Sequence, residues 1–247
     1  MQRAEIVKAD ARLIAHAGSV EINRADLASL STPVRTLTHY PFPHADLVTY
    51  IETRLWEGYG IEIEKGRYAV MSDGLKLFAA LTLKRGKDDF ALALGIRTSN
   101  DKSMSLQFVA GANVFVCDNM AFSGDTMVLC KKHTGLLNPR MTVYGGIDRA
   151  ITKFASLEVR IDQLKSSKIT DQAAKALIFD MVNQGIVNQN ALPIIGKNYF
   201  EPTHQEQRDE FGGSLWMLNN AVTEYCKTLK PHVAFEVSQG VGALMGM

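Results

Sequence analysis

Residues 68–97 read YAVM SDG LKLFAALTL KRGKDD FALALGIR, three apolar runs separated by short polar turns. Runs of four to nine apolar residues bounded by Gly, Ser and Asp are typical of strands joined by hairpins. The same pattern extends over residues 61–130, with further runs at 104–110 and 114–117 and another candidate at 126–131. This pattern predicts an antiparallel meander of about five strands.

Helical periodicity replaces this pattern on both sides of the meander. Upstream, Pro43 can occupy the first turn of a helix over residues 44–56, and Gly60 lies just beyond its end. Downstream, apolar residues at steps of three and four predict a long amphipathic helix over residues 147–164, and Thr170 can cap the next. The fold class is therefore expected to be α+β, with an N-terminal helix, the meander and a C-terminal set of helices.

The order of these patterns also predicts how the chain is organised. Residues 1–35 have no sustained period and are expected to form an N-terminal arm. Residues 36–138 supply the helix and the antiparallel sheet, and residues 139–247 supply helices packed on that sheet in one compact unit. Within the helical part, residues 192–213 carry Pro and Gly and are expected to form a connector before a last helix.

The composition is that of an ordinary globular chain with almost no net charge. Of its 247 residues, 46% are hydrophobic and 21% are charged, and 27 Lys and Arg stand against 26 Asp and Glu. A nucleic-acid ligand would therefore need a local basic patch, because the average charge attracts no polyanion. The three cysteines form no Cys-x-x-Cys pair, and neither a signal-peptide layout nor an apolar run of about 20 residues occurs. These features predict a cytoplasmic protein without a membrane partner.

Familiar catalytic and cofactor-binding motifs are absent from the sequence. It contains no GxxxxGK[ST] loop, no GxGxxG, no HExxH and no GxSxG. Its six histidines are scattered, and none forms a metal pair at helical spacing. The sequence therefore predicts no catalytic residue, no metal and no cofactor, and it favours a protein that is not an enzyme.

Two polar segments of the predicted meander offer groups that can bind phosphate. The segment GIRTSNDKS, residues 95–103, is too polar for a simple hairpin, and KKHT, residues 131–134, is a short basic run. If the meander brings these loops together, they form the cationic patch that a strand-binding surface needs. The alternative is a turn that satisfies its own backbone beside a solvated basic edge. The candidate nucleic-acid-binding residues are Arg97, Ser99, Asn100, Lys102, Lys131, Lys132 and His133.

A second polar group combines a strand end with one face of a late helix. Asp118 and Asn119 follow an apolar strand that ends at Cys117, and a carboxylate beside an amide can bind a ligand. Cys117 alone is not a nucleophile signature, because no nearby residue is a suitable base to form the thiolate. Two successive asparagines in a helix indicate side chains with partners, either within the protein or in a ligand. The residues of this ligand-binding or structural cluster are Asp118, Asn119, Asn219, Asn220 and Thr223.

The same polar stretches, in this order, resemble the DUF932 family, a phage- and plasmid-associated family of unknown function. The resemblance lies in residues 95–103, in VCDN at residues 116–119, and in WMLNNAVTE at residues 216–224. The last of these is similar to the family's tryptophan followed by an Asn-Ala-x-Thr-Glu helix. Weaker similarity lies in PFPH at residues 41–44 and in residues 131–134. The resemblance covers most of the chain and implies a mobile-element context, but it carries no activity over to particular residues.

Three hypotheses about function remain open from the sequence. The first is a non-enzymatic accessory of phage or plasmid DNA metabolism that binds single-stranded DNA through the basic loops, as a homo-oligomer. Its order of elements also resembles that of the single-strand annealing proteins of recombination, at the level of fold alone. The second is a protein-interaction module that offers the apolar stripe of residues 147–164 to a host or element-encoded partner. The third is an enzyme of unrecognised type with a site near Cys117, Asp118 and Asn119.

Overall fold

A computed structural model describes most of the chain. The described residues are 12–14, 18–87, 90–111, 115–117, 122–123, 126–202, 212–226, 228–229 and 231–245. Among them, residues 12–155 form one compact unit, called the first unit, and residues 156–245 form another, called the second unit. The three-part organisation expected from the sequence stays a prediction.

The first unit is built on a six-stranded antiparallel sheet with the order β2-β3-β4-β5-β6-β9. Its strands are β2 (Val20–Ile22), β3 (Ile63–Met71), β4 (Lys76–Lys87), β5 (Phe90–Ser99), β6 (Leu106–Gly111) and β9 (Thr126–Lys131). The α+β class and the meander are confirmed, with six strands in place of about five. The additional strand, β2, comes from the segment that was expected to be an arm.

A small sheet covers one face of the six-stranded sheet. It consists of β1 (Arg12–Ile14), β7 (Phe115–Cys117) and β8 (Phe122–Ser123), with β1 parallel to β7. The expected strand near residue 117 therefore belongs to this sheet and not to the meander. Leu13 of β1 packs among buried residues of the larger sheet, which are Ala69, Phe78, Ala80, Ala93 and Val109. The three alanines leave room for the second sheet to approach closely.

Two helices of the first unit complete its core, α1 (His44–Tyr59) and the first part of α2 (Pro139–Ser166). As expected, α1 ends at Gly60, which adopts the left-handed conformation and donates its N–H to Trp56 O at 2.8 Å. Gly146 of α2 lies against Phe108 of β6, where an added Cβ would approach the ring to 2.9 Å. The buried face of α1 consists of His44, Leu47, Val48, Ile51 and Leu55.

The second unit is helical. After the end of α2 it contains α3 (Asp171–Asn183), α4 (Ala191–Phe200), α5 (Leu215–Cys226) and α6 (Pro231–Leu244). Thr170 caps α3 as predicted, with its Oγ1 accepting from Ala173 N at 3.1 Å. The helix α4 occupies part of the stretch that was expected to be a connector. The core of this unit includes Ala174, Ile178, Met181, Ile195, Tyr199, Leu218, Val222 and Val237.

Candidate nucleic-acid interface

Arg97 and Lys131, two of the predicted phosphate ligands, lie on opposite faces of the sheet. Arg97 in β5 pairs with Gln107 in β6, which pairs with Cys130 in β9, so these three side chains share one face. Lys131 follows Cys130 in the same strand and therefore points to the other face. Arg97 is also engaged, because its Nε donates to Gln107 Oε1 at 2.6 Å. The sheet thus does not combine these two cations in one patch.

The loop after β5 satisfies its own polar groups. Ser99 is fully buried, and its Oγ accepts from Met104 N at 2.8 Å and donates to Met104 O at 3.2 Å. Asp101 accepts from Ser103 N at 2.9 Å, and the exposed Lys102 adopts a left-handed conformation with φ of 70°. The geometry is that of a closed turn, the alternative that the sequence left open, with Lys102 as its exposed cation.

Asn100 binds the backbone of the segment that precedes α1. Its side chain is buried, with Oδ1 accepting from Phe42 N at 2.8 Å and Nδ2 donating to Phe42 O at 3.0 Å. Its own backbone N–H donates to Leu75 O at 2.7 Å. Both polar groups of the Asn100 side chain are thus bonded to the backbone of Phe42, and Asn100 fixes residues 39–43 against the end of the sheet.

Two buried histidines join the same segment to the loop after β9. His133 Nε2 lies 2.7 Å from Thr98 Oγ1, its Nδ1 lies 3.2 Å from Tyr40 O, and its backbone O accepts from Tyr40 N at 3.1 Å. His39 Nδ1 lies 2.9 Å from His133 O, and its Nε2 lies 3.1 Å from Asn100 O. Burial lowers the pKa of His133, which favours the neutral ring. Because a carbonyl oxygen can only accept, Nδ1 donates to Tyr40 O, and Nε2 of the neutral ring accepts from Thr98 Oγ1.

A third buried histidine, His44, anchors the first turn of α1. Its Nε2 donates to Gly74 O at 3.0 Å, in the turn between β3 and β4. Desolvation lowers the pKa of His44 to about 4, and the ring is therefore neutral at physiological pH. The described histidines of this region thus serve packing and backbone positioning.

The buried network brings two loops into contact at the surface. His39 and Thr134 form an isolated antiparallel bridge, and Arg35 Nη2 donates to Gly135 O at 2.6 Å. Gly135 lies so close to Leu37 that a Cβ added to it would lie far inside the van der Waals contact distance from the Leu37 carbonyl oxygen. We call the exposed residues of segments 34–37 and 131–141 the loop surface.

The loop surface is basic and contains fully exposed aliphatic side chains. Its cations are Arg35, Lys131, Lys132 and Arg140, and the surrounding segments 31–43 and 130–142 contain four Lys and Arg and no Asp or Glu. Arg140 packs over the Tyr144 ring and lies close enough to Glu57 of α1 for their charges to attract. The exposed fractions of Val34, Leu37 and Leu136 are 88%, 99% and 95%. Soluble proteins expose isolated apolar residues routinely, and here three such residues lie on the two touching segments.

Of the second predicted cluster, the structure describes the residues of α5 and not those that follow β7. Cys117 ends β7 in the first unit, and Asp118 and Asn119 lie outside the described residues. Asn219, Asn220 and Thr223 lie on α5 in the second unit and are partly exposed, and Thr223 Oγ1 donates to Asn219 O at 2.9 Å. This hydrogen bond is the common back-bond of a helical threonine.

The second unit also has a shallow hollow of about 480 Å³. Its polar lining includes Arg160, Gln163, Ser166 and Ser167, but both serine hydroxyls donate to Gln163 O, at 2.9 and 2.8 Å. Among the residues that the structure describes, no group of three His, Cys, Asp or Glu side chains could hold a metal ion. In the same residues, no helix is both long enough and apolar enough to cross a membrane.

Sequence reasoning missed the residues that form most of the loop surface. Arg35, Leu37, Leu136 and Arg140 belong to no polar-rich stretch, and each is unremarkable by itself. One signal was available, the lack of acidic residues over 31–43 and 130–142 in a chain with balanced charge. That signal gains meaning only when the two segments are known to touch.

A family model of a domain of unknown function, DUF932, matches residues 43–239. The chain belongs to the DUF932 family. The DUF932 match contains Asn100, His133 and the cations Lys131, Lys132 and Arg140, whereas Arg35 precedes it. No curated protein and no solved structure matches the chain.

Proposed function

We propose that this DUF932 protein binds single-stranded nucleic acid through the loop surface, as a non-enzymatic accessory of phage or plasmid DNA metabolism. The observation that carries the proposal is that Arg35, Lys131 and Lys132 are exposed on two touching segments that contain no Asp or Glu. Phosphate contacts come from individual Lys and Arg side chains, so a local cluster serves where the overall charge is close to zero.

The buried network supports this proposal by holding the cations in place. His39, Asn100 and His133 fix the backbone of both segments, so the chain pays little additional entropy when the loop surface meets a ligand. Ser99, Asn100 and His133, which the sequence offered as direct ligands, are assigned a positioning role here. Lys102 lies in the neighbouring closed turn and can add one further cation.

The test is fluorescence anisotropy of a labelled single-stranded oligonucleotide across a salt series. We expect Lys131→Ala and Lys132→Ala each to weaken binding. Each should also reduce the slope of log affinity against log salt concentration, the salt slope, by about 0.7, which corresponds to the counterions released by one contact to a single strand. Lys84→Ala is the matched control, because Lys84 is an exposed lysine in β4 that pairs with Glu62 away from the loop surface. No binding at about 50 mM salt, or equal effects of all three variants, would refute the proposal.

A protein partner is the second candidate, and the exposed Val34, Leu37 and Leu136 favour it. The apolar stripe of α2 that also pointed to a partner is mostly buried, with Ile151 and Leu157 partly exposed. If no oligonucleotide binds, these three aliphatic side chains become the place to look for a protein interface. Capture experiments should then compare the wild type with Leu37→Ser and Leu136→Ser.

A further inference from the structure

Arg35 is held in a fixed orientation by two contacts that involve different parts of its guanidinium group. The guanidinium carbon lies over the Tyr40 ring, 4.7 Å from its centroid. At its edge, Nη2 donates to Gly135 O at 2.6 Å. Tyr40 is itself anchored, because its backbone N–H donates to His133 O at 3.1 Å and its carbonyl faces His133 Nδ1. These two contacts restrict a long side chain that otherwise samples many rotamers.

The guanidinium group remains accessible to a ligand. Arg35 is exposed to solvent although its head group lies against the Tyr40 ring and Gly135. Leu37 and Leu136 stand close by on the two touching loops and are almost completely exposed. The surface therefore combines a flat cation, two aliphatic side chains and the neighbouring Lys131 and Lys132. This combination suits a ligand with a flat apolar group and a negative charge on the same unit.

We infer that the exposed guanidinium group of Arg35, held over Tyr40 on the same two loops as Leu37 and Leu136, stacks on an unpaired nucleobase, so that the loop surface binds single strands in preference to duplexes. This inference rests on the proposed function and assigns the base-contacting part of the same surface. Unpaired bases stack on aromatic rings and on guanidinium planes, whereas the bases of a duplex have both faces covered by their neighbours. Because every base has such a face, the site selects strand state and not sequence.

An acidic peptide would satisfy the same cations but would not need the plane of Arg35. Arg35→Lys keeps the positive charge and removes the planar group, and therefore separates the two ligand chemistries. A ligand without bases makes the complementary change. An oligonucleotide of abasic sugar phosphates has the same charge as a normal strand of equal length and lacks the flat group.

The experiment measures the affinities of wild type and Arg35→Lys for a normal and an abasic single strand of equal length, across a salt series. We expect the wild type to prefer the normal strand by about tenfold, in the range of one stacked base. Arg35→Lys should lose most of this preference and keep the salt slope, since it loses no charge. Arg67→Lys, the same exchange at an exposed ion pair with Glu21, is the control and should leave both affinities unchanged.

Leu136→Ser provides a second variant that does not depend on the Arg35 contacts. Its side chain is 95% exposed, so the exchange leaves the fold intact, and we expect weaker binding of the normal strand with no change for the abasic strand. Equal binding of both strands by the wild type would overturn the inference and leave the proposed function standing. Retention of the preference by both Arg35→Lys and Leu136→Ser would also overturn it. Failure of both strands to bind at low salt would overturn the proposed function together with the inference.

Discussion

Replacing Asn100 with Ala tests whether the polar stretch after β5 positions the loop surface or touches a ligand. The substitution removes both hydrogen bonds to Phe42, from Oδ1 at 2.8 Å and from Nδ2 at 3.0 Å. Asn100 is 3% exposed and Phe42 is 2% exposed, so water cannot replace the lost partner without rearrangement. The backbone N–H and C=O of Phe42 are then left buried without that partner.

The expected loss of stability follows from these two bonds. Each contributes about 1 kcal/mol net, and a buried polar group that loses its partner costs about 1–3 kcal/mol. Partial rearrangement of residues 39–43 relieves some of that cost, so we expect the free energy of unfolding to fall by roughly 2–4 kcal/mol. Because Asn100 has no charge, the salt slope of oligonucleotide binding should not change, while the affinity should fall as the loop surface loosens.

Urea titrations of wild type and Asn100→Ala measure the first quantity, and anisotropy across a salt series measures the second. Asn183→Ala is the matched control, because Asn183 is exposed at the end of α3 in the second unit. If Asn100→Ala were as stable as the control to within about 0.5 kcal/mol, the positioning role would be wrong. If it lost oligonucleotide affinity without any loss of stability, Asn100 would be a direct ligand.

Three further outcomes can be checked by the same urea titrations. His44 has a pKa of about 4 in the folded chain, against the ordinary His value of 6.5, so between these pH values the unfolded chain binds more protons. The free energy of unfolding should therefore be highest above pH 6.5 and fall by up to about 3 kcal/mol as the pH drops through 4. His44→Gln should flatten that profile. Gly135→Ala should lower the free energy of unfolding by roughly 1–3 kcal/mol by forcing Leu37 away, and an unchanged or higher value would contradict this. Gly196→Ala, with open space at its Cβ inside α4, should raise it by about 0.5–1 kcal/mol, and a lower value would contradict that. Thr170→Ala should cost about 1 kcal/mol through the lost cap of α3, and an unchanged midpoint would show that the cap contributes nothing.

The elements with long and regular periods could be predicted from the sequence. The helix α1 has apolar residues on one face and a glycine at its end. Strands β3 to β5 are apolar runs bounded by polar turns. The helix α4 was missed because it contains Pro193 and Gly196. Pro193 lies in the first turn, where a missing N–H costs no hydrogen bond, so it does not prevent the helix.

Strand β2 was missed for a different reason, since three residues give too short a pattern to recognise. Val20, Glu21 and Ile22 become a strand only because β3 offers them a free edge to pair with. The same holds for β1 and β7, whose parallel pairing joins residues about 100 positions apart in the chain. Such pairings are tertiary facts, and local propensity does not determine them.

The density of polar residues in a sequence does not distinguish a side chain that binds a ligand from one that binds the chain's own backbone. Asn100 and His133 were selected for their chemistry, and they use it on Phe42, Tyr40 and Thr98. Nothing in the sequence was a reason to select the exposed cation Arg35, because the residue that holds it, Gly135, lies 100 positions away in the chain. Buried residues such as Asn100 affect binding by holding exposed residues such as Arg35 in place. A variant that weakens binding therefore identifies a ligand contact only if its stability is unchanged.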